Sequence, residues 1–414
     1  MATMTLPVRD VETTQPATTT STNATTAAPA VTPILGTYKR APMELVRGEG
    51  VHLYDSTGKA YLDFASGIAV NAFGYGDAGI ARAIEGALAT GLIHVSNLYR
   101  TAPGEELAQA LVDRSFASSV FFCNSGAEAN EGAFKIARKW GRSLSPEKTG
   151  LVSLRGAFHG RLFATLAATD RAAYQTPFMP LAPGVSITER TIEDLDAVLD
   201  AKTVAGVIVE PVQGEGGVRV IDRGLLAELR AMTKERNIAL IFDEIQCGLG
   251  RTGSLFAYEQ TGVVPDMVTL AKPLAGGLPM GAILMSAPLA AAMSPGDHGT
   301  TFGGGPFVAS VAKHVLDRLS DASLLSRVRE NGEWLGEALR AMASRHEGIR
   351  SVRGVGYLWG MDVTRPAGEI VARAREEGLL LLTAGDYTLR LLPPLIATRD
   401  ELAQGVALIE RALV

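Results

Sequence analysis

The chain has 414 residues and a formal net charge of −5, with 20% charged and 47% hydrophobic residues. This balance gives no electrostatic support for binding nucleic acid or an anionic membrane surface, and no apolar run approaches the length of a membrane span. Two cysteines cannot form a disulfide framework, and the six scattered histidines lack the spacing of a structural metal site. The composition predicts a soluble, intracellular, metal-free protein of about two domains.

The first 33 residues differ in composition from the rest of the chain. They are rich in Thr, Ala and Pro and nearly lack large apolar groups, so they predict a disordered tail. Such a hydroxyl-rich segment is also typical of organelle transit peptides, but Arg9 is its only basic residue and Asp10 and Glu12 are acidic. We therefore predict a cytoplasmic protein, with a plastid location as the alternative.

After Pro33 the chain alternates short apolar runs with amphipathic helical stretches. The apolar runs, many of them β-branched and suited to burial on both faces of a sheet, lie at 119–123, 151–154, 204–210, 238–242, 267–270 and 282–285. Helical stretches such as 127–140 and 224–237 fall between several of them. This alternation predicts an α/β fold with a mostly parallel sheet and helices on both faces.

The pattern changes beyond Phe307, where longer helices are predicted. These helical stretches and the short apolar segments after them lie at 308–319, 331–345, 351–363 and 379–393. They indicate a smaller α+β domain. We expect three parts after the tail: an N-terminal segment packing with the small domain (34–75), a large ligand-binding domain (76–306) and the C-terminal small domain (307–414).

Polar residues follow three of the apolar runs, where ligands bind in open parallel sheets. Ser125-Gly126-Ala127 opens a helix whose first amides suit a phosphate, although taken alone Ser125 is more simply a plain helix cap. Asp243 follows another run. Lys272 follows a third, and taken alone it is more simply a solvated loop lysine. Together the three features indicate a binding site.

Pyridoxal 5′-phosphate (PLP) requires these three features. Its aldehyde condenses with a lysine, its ring nitrogen stays protonated beside a carboxylate, and its phosphate needs a cluster of backbone donors. Lys272, Asp243 and Ser125-Gly126-Ala127 supply them in that order. The lysine, desolvated and near polarising groups, would have a lowered pKa and a reactive amine. We therefore predict that Lys272 binds PLP.

Six motifs run in order over nearly the whole chain from about residue 34. They are FFCNSGAEANEGAFKIAR, FHGR (158–161), EPVQGEGGV (210–218), LIFDEIQCGLGRTG, TLAKPLAGGLPMGAIL and HGTTFGG (298–304). The set resembles the class III, subgroup II aminotransferases of PLP fold type I. Within that group, HVSNLYRT (94–101) and LRLLPPL (389–395) are typical of acetylornithine aminotransferases. The sequence KPLAGG resembles the plant-type branch, which keeps the plastid alternative open.

The resemblance implies a role for each residue that contacts the cofactor. Gly126 and Ala127, with Ser125, would hold the phosphate, Phe158 would stack on the ring, Asp243 would pair with its nitrogen, and Gln246 would reach its hydroxyl. Thr301 would reach the phosphate bound by a neighbouring subunit. The resemblance therefore implies a homodimer with shared active sites.

Four further residues are implied in substrate binding. Arg161 and Thr300 would bind the substrate, with the guanidinium gripping a carboxylate. Arg390 would take the other carboxylate of 2-oxoglutarate, and Glu215 would pair with Arg390 when the donor has no carboxylate at its reacting end. The implied reaction is ping-pong transamination between N-acetylornithine and 2-oxoglutarate.

Substrate choice leaves alternatives open. Ornithine aminotransferases place a tyrosine in the segment equivalent to residues 65–71, where this chain has Gly67, and the smaller residue suits an acetylated amine. An ornithine or 4-aminobutyrate aminotransferase, a semialdehyde aminomutase, or added activity on N-succinyl-diaminopimelate are the alternatives within the family. A non-catalytic scaffold would have lost Lys272, Asp243 or Arg161, and all three are present.

Overall fold

A computed structural model describes residues 32–414 of the chain, so most of the predicted tail lies outside the described residues. The chain divides into a short unit that ends at Met43 and a main unit, Glu44–Val414. In the part of the chain that the structure describes, no helix is long and apolar enough to cross a membrane.

Strands and helices alternate through the main unit. The strands are β1 (Leu45–Glu49), β2 (His52–Asp55), β3 (Ala60–Asp63), β4 (Ser119–Cys123), β5 (Gly150–Leu154), β6 (Val185–Thr188), β7 (Val204–Val209), β8 (Val212–Gln213), β9 (Arg219–Val220), β10 (Ala239–Asp243), β11 (Met267–Leu270), β12 (Gly281–Met285), β13 (Ile349–Val355), β14 (Leu358–Val363), β15 (Leu379–Leu380), β16 (Leu382–Thr383) and β17 (Thr388–Leu391). The helical segments are α1 (Ser66–Ala69), α2 (Ala78–Ala89), α3 (Ala102–Val112), α4 (Gly126–Leu144), α5 (Phe163–Ala167), α6 (Ala172–Gln175), α7 (Ile192–Val198), α8 (Arg223–Glu235), α9 (Ala287–Ala291), α10 (Pro306–Leu319), α11 (Ala322–Ala343), α12 (Ala367–Glu376) and α13 (Arg399–Leu413). Three 3₁₀ turns lie at Thr176–Phe178, Ala257–Gln260 and Lys272–Ala275.

A seven-stranded sheet in the order β4-β12-β11-β10-β7-β5-β6 forms the centre of the main unit. Strands β7, β10 and β11 are buried along their whole length, which agrees with their apolar sequences. The predicted α/β class and mostly parallel sheet are confirmed. The exception is β12, which runs antiparallel to both neighbours. Residues 271–280 between β11 and β12 are too few for the crossover that a parallel pair requires, about a dozen residues.

Two smaller four-stranded sheets involve the chain termini. In one, β3 pairs in parallel with β15, so the N-terminal segment and a C-terminal strand share a sheet. The other has the order β13-β14-β17-β16. Helix α10 packs against α2 and α3. The division of the chain at 75/76 and 306/307 stays a prediction.

Side-chain caps account for where two of the helices begin. The helix predicted at 127–140 spans Gly126–Leu144, and at its start the Ser125 hydroxyl accepts the Glu128 N–H. The helix predicted at 331–345 begins nine residues earlier, at Ala322. The carboxylate of Asp321 accepts the N–H groups of Ser323 and Leu324 there, which satisfies two otherwise free donors.

The segment Ser66–Ala69 is a turn of left-handed backbone. Its φ angles are +48°, +59°, +65° and +67°, although Gly67 is its only glycine. Left-handed backbone costs roughly 1–2 kcal/mol per non-glycine residue, so surrounding contacts must hold the turn. The Asp63 carboxylate accepts the N–H of Ala65 (2.8 Å) and of Ser66 (3.0 Å). The Ser66 hydroxyl donates to the carbonyl of Leu392.

Candidate active site

A cavity of about 410 Å³ opens at the carboxyl ends of β4, β10 and β11. Nine of the predicted site residues line it: Ser125, Gly126, Ala127, Phe158, Arg161, Glu215, Asp243, Gln246 and Lys272. Two further segments complete the wall of the cavity. Val70 comes from the end of the left-handed turn, and Met280 comes from the β11–β12 connection. The geometry therefore brings most of the candidate residues into one space.

Lys272 lies in strained backbone directly after β11. Its φ is +29°, a region that a lysine rarely adopts, and Pro273 follows it. Lys272 begins the short connection between the antiparallel strands β11 and β12, and it lines the cavity. Burial, and then the charge of Arg390, lower the pKa of Lys272, and the carboxylates of Asp243, Glu215 and Glu210 oppose that shift. The amine is therefore a stronger nucleophile at neutral pH than an exposed lysine.

This lowered pKa predicts how the cofactor-free protein takes up PLP. Only the neutral amine attacks an aldehyde, and a lower pKa raises the neutral fraction at every pH below the ordinary lysine value of about 10.4. The rate of covalent uptake, followed by the visible absorbance of the bound cofactor, is expected to rise with pH and to level off at a lower pH than an exposed lysine would give. Nα-acetyl-lysine as the control should level off near its ordinary value. If the pH midpoint of uptake by the protein coincided with the pH midpoint for Nα-acetyl-lysine, the prediction would be contradicted.

Asp243 is buried at the end of β10 and is held by three hydrogen bonds. Its Oδ2 accepts from Asn130 Nδ2 (2.7 Å) and from His159 Nδ1 (2.8 Å). Its Oδ1 accepts the N–H of Ile245 at 3.0 Å. Asn130 in turn accepts from the Thr269 hydroxyl at 2.7 Å, so the network reaches β11. A buried carboxylate fixed in this way can stabilise a protonated ring nitrogen.

His159 and Glu210 lie next to Asp243 in the cavity wall. The Nε2 atom of His159 is buried and has no hydrogen-bond partner among the described residues. Glu210 accepts the N–H of Phe158 (3.0 Å) and of Gly214 (3.3 Å). Burial raises the pKa of Glu210 to about 7, with His159 opposing the shift and Asp243 adding to it. Glu210 therefore fixes the backbone on two sides of the cavity.

The start of helix α4 forms the candidate phosphate site. The N–H groups of the first turn have no intrahelical acceptor, and Gly126 and Ala127 line the cavity. A Cβ on Gly126 would lie 2.8 Å from Ile245 Cδ1, so a larger residue there would require the Ile245 side chain to shift. Ser125 both caps the helix and lines the cavity. Its interpretation as a helix cap and its interpretation as a phosphate ligand are therefore compatible.

Arg390 enters the site from the C-terminal sheet. It lies in β17 between β14 and β16, is buried, and pairs with Glu215 (Nη2 to Oε1, 2.7 Å). Its Nη1 donates to Gln246 Oε1 at 3.1 Å. Because arginine can only donate, this bond leaves the Gln246 amide N–H groups as the donors available to a ligand. The Nε atom of Arg390 has no partner among the described residues.

Thr300 and Thr301 lie outside the Lys272 cavity of their own chain. The Thr300 hydroxyl accepts from Asn124 Nδ2 at 3.0 Å, and its carbonyl accepts from Asn97 Nδ2 at 3.0 Å. Thr300 lines a second cavity, of about 440 Å³, between residues 97–108 and 298–304. Thr301 is exposed.

Sequence reasoning did not assign Asn130 or Glu210 to the site. Asn130 lies on the buried apolar face of α4, next to Ala129 and Ala133. A buried polar side chain on such a face requires a hydrogen-bond partner. This requirement is the feature of the sequence that could have indicated a role for Asn130. Glu210 directly follows the wholly apolar β7, much as Asp243 lies at the end of β10. The rule that polar residues at the carboxyl ends of buried strands bind ligands identified Asp243, and it could have identified Glu210 too.

The model of the family "Aminotransferase class-III" matches residues 36–413. The chain belongs to this family. The mitochondrial acetylornithine aminotransferase of Alnus glutinosa is 44% identical over 386 residues, covering 92% of this chain and 85% of the relative. The acetylornithine aminotransferase of Methanocaldococcus jannaschii is 43% identical over 368 residues, covering 88% and 92%.

Solved structures of aminotransferases have the same fold as this class-III aminotransferase. The Toxoplasma gondii ornithine aminotransferase superposes with a TM-score of 0.88 at 29% identity, covering 92% of each chain. The N-acetylornithine aminotransferase of Stenotrophomonas maltophilia superposes with a TM-score of 0.79 at 35% identity, covering 91% of this chain and 96% of that one. A Toxoplasma gondii ornithine aminotransferase structure carries PLP at its active site.

Class-III aminotransferases depend on PLP, and this chain is a PLP-dependent transaminase. The residues present fit the cofactor. A buried carboxylate, a lysine of lowered pKa and a helix N-terminus that begins with a glycine packed against Ile245 meet in one cavity. When bound, PLP supplies an aldehyde for the amino group and a ring that withdraws electrons from the reacting carbon.

Proposed function

We propose that this aminotransferase transfers the 5-amino group of N-acetylornithine to 2-oxoglutarate, giving N-acetylglutamate 5-semialdehyde and glutamate in arginine biosynthesis. The observation that carries the proposal is the unequal state of two arginines. Arg390 is paired with Glu215, whereas Arg161 lines the cavity and has no carboxylate partner among the described residues. A donor whose only carboxylate lies far from its reacting amine fits this arrangement.

Each proposed role follows from a contact. Arg161 binds the donor's carboxylate and places the distant amine near Lys272, since both residues line one cavity. Lys272, once its amine is free, removes a proton from the donor carbon that carries the nitrogen and returns it in the second half of the reaction. With the cofactor bound, Asp243 would stabilise the positive charge at the ring nitrogen. Gln246, whose Oε1 already accepts from Arg390, would donate its amide N–H to the ring hydroxyl, and Phe158 would stack on the ring face.

The acceptor, 2-oxoglutarate, carries a second carboxylate beside its reacting carbon. This group takes Arg390 after Glu215 moves away, so one cavity serves two substrates of different charge in turn. The partly exposed Glu215 lies in the loop between β8 and β9, where such a movement costs few buried contacts.

Position 67 supports an acylated donor. A side chain there would begin 3.0 Å from Asn71 Nδ2, in left-handed backbone that favours glycine. Gly67 itself is exposed and does not line the cavity, but a side chain there would begin 3.6 Å from the Cβ of Val70, which does. A tyrosine, as ornithine aminotransferases carry, would occupy the space beside this wall, which glycine leaves open. The relatives named acetylornithine aminotransferase also support an acylated donor. N-succinyl-diaminopimelate is a further donor that the open space would accept.

A single half-reaction tests the substrate. Protein loaded with PLP is mixed with N-acetylornithine, ornithine or 4-aminobutyrate without a keto acid, and the loss of visible absorbance is followed. We expect conversion to the pyridoxamine form to be about tenfold or more faster with N-acetylornithine. Faster conversion with ornithine or 4-aminobutyrate would overturn the substrate while leaving the cofactor chemistry intact.

We also propose that the enzyme works as a homodimer in which Thr301 reaches the partner's phosphate site. The support is an exposed apolar surface around that residue: Leu98 is 88%, Tyr99 71% and Phe302 65% exposed. Sedimentation should give twice the chain mass of 43.6 kDa. A monomer with full activity would contradict the proposal.

We propose the cytoplasm as its compartment. The support is the pair of free, buried cysteines, Cys123 and Cys247, and the acidic residues near the start of the chain. A fusion of residues 1–33 to a fluorescent protein that accumulated in an organelle would favour the plastid alternative.

A further inference from the structure

Arg161 is held by an aromatic ring rather than by a carboxylate. Its guanidinium carbon lies 3.6 Å from the centroid of the Tyr174 ring and 5.8 Å from that of Phe158. The shorter distance is that of direct stacking. Arg161 is exposed at the cavity, so an unsupported side chain would sample many rotamers and lose entropy on binding a substrate.

Tyr174 is itself fixed to the chain segment that follows Arg161. It lies in the short helix α6, whose last residue, Gln175, uses its Nε2 to donate to three carbonyls at the end of α5 and just beyond: Leu166 (3.1 Å), Ala167 (3.3 Å) and Thr169 (2.9 Å). Helix α5 begins two residues after Arg161. The ring and the guanidinium that it supports therefore belong to one compact loop.

The same loop contacts the backbone of Glu215. Arg171, directly before α6, donates from Nη2 to the Glu215 carbonyl. The segment 171–175 thus touches both proposed carboxylate-handling residues, Arg161 through a ring and Glu215 through its main chain. Neither contact involves an acidic side chain, so Arg161 keeps its charge available to a substrate.

We propose that Tyr174 is a positioning residue that holds the Arg161 guanidinium ready for the substrate carboxylate. This inference rests on the proposed function, in which Arg161 binds that carboxylate. The ring acts through its π face, and its hydroxyl has no hydrogen-bond partner in the part of the chain that the structure describes. The contact preorganises Arg161 and lowers the cost of ordering it on binding.

The test compares two donors of equal length in the half-reaction: N-acetylornithine and its decarboxylated analogue, N-acetyl-1,4-diaminobutane. Tyr174→Leu is expected to raise the half-saturating concentration of N-acetylornithine about 3- to 30-fold, with little change in the maximal rate. The analogue, which has no carboxylate, should be affected less than about twofold. Tyr174→Phe keeps the ring face and is expected to restore tight binding of N-acetylornithine.

Matched variants separate the possible failures. Tyr54→Leu removes a similar contact, with Arg47 3.7 Å from its ring and both residues outside the cavity lining, and should change neither donor. Arg161→Ala should weaken N-acetylornithine alone. If Arg161→Ala discriminates between the donors and Tyr174→Leu does not, the role of Tyr174 is overturned and the proposed function stands. If Arg161→Ala affects both donors equally, the carboxylate site is misassigned and both proposals fall.

A second measurement covers a variant that folds poorly. Tyr174→Gln lacks a π face but is polar and flexible, so it replaces the leucine variant if that protein precipitates. Its affinity for glutarate, an unreactive dicarboxylate, is measured by calorimetry. Weaker glutarate binding at an unchanged unfolding temperature supports the positioning role, and unchanged glutarate binding overturns it.

Discussion

Replacing Lys272 with alanine is expected to reduce transamination by about 10⁴-fold or more, because in the proposed mechanism this one amine both condenses with the cofactor and moves the proton. No second lysine among the described residues of the cavity wall could replace its amine. Lys272 is the only lysine that lines the cavity in the described part of the chain, and its strained backbone places it there. Steady-state rates with N-acetylornithine and 2-oxoglutarate measure the loss.

A control distinguishes this loss from a folding defect. Lys148 is also buried, but it donates to the carbonyls of Ala201 (2.6 Å) and Arg236 (3.0 Å), away from the cavity. Lys148→Met should lower the unfolding temperature and leave the rate per folded molecule close to that of the wild type. A Lys272→Ala protein that still turned over at an appreciable rate would exclude Lys272 as the catalytic amine.

Replacing Asp243 with asparagine is expected to reduce the rate on the order of 10²–10³-fold. The change keeps the shape of the side chain but removes the charge that stabilises a protonated ring nitrogen. The hydrogen bonds from Asn130 and His159 depend on Oδ2, so an asparagine oxygen can keep them. The amide nitrogen then faces the Ile245 N–H that Oδ1 accepts in the wild type, so that one bond is lost and a lower unfolding temperature is expected, with the fold retained. Steady-state rates and the unfolding temperature are measured together.

Asp266 provides the matched control for Asp243. It borders the same sheet, pairs with Arg230 at 2.7 Å and accepts the N–H of Leu240 at 2.9 Å, but it does not line the cavity. Asp266→Asn should lower stability without a specific loss of rate. Equal losses of rate in the two variants would mean that Asp243 has only a structural role.

Much of the site could be predicted because strands of the central sheet are visible as apolar runs, whether buried along their whole length, as β10 and β11 are, or only in part, as β4 is. The residue that follows such a run lies at the ligand-binding edge of the sheet, and this rule located Asp243, Lys272 and Ser125-Gly126-Ala127. This rule requires no knowledge of the order of the strands in the sheet. It could not predict the orientation of β12, because that orientation depends on the length of the connection between β11 and β12.

The partners of these residues could not be predicted, since they come from distant parts of the chain. Asn130 and His159 meet Asp243 across 113 and 84 residues of sequence. The left-handed turn at Ser66–Ala69 has one glycine and carries no signal for three further positive φ angles, because contacts from Asp63 and to Leu392 impose them. Tertiary contacts therefore decide what the local sequence leaves open.

The most direct test of the central claim is to locate the bond between PLP and the protein. Holoenzyme is reduced with borohydride, which makes that bond permanent, then digested and mapped by mass spectrometry. We expect a phosphopyridoxyl group on Lys272 and on no other lysine. A group on a different lysine, or none after loading with PLP, would contradict the assignment of the whole site.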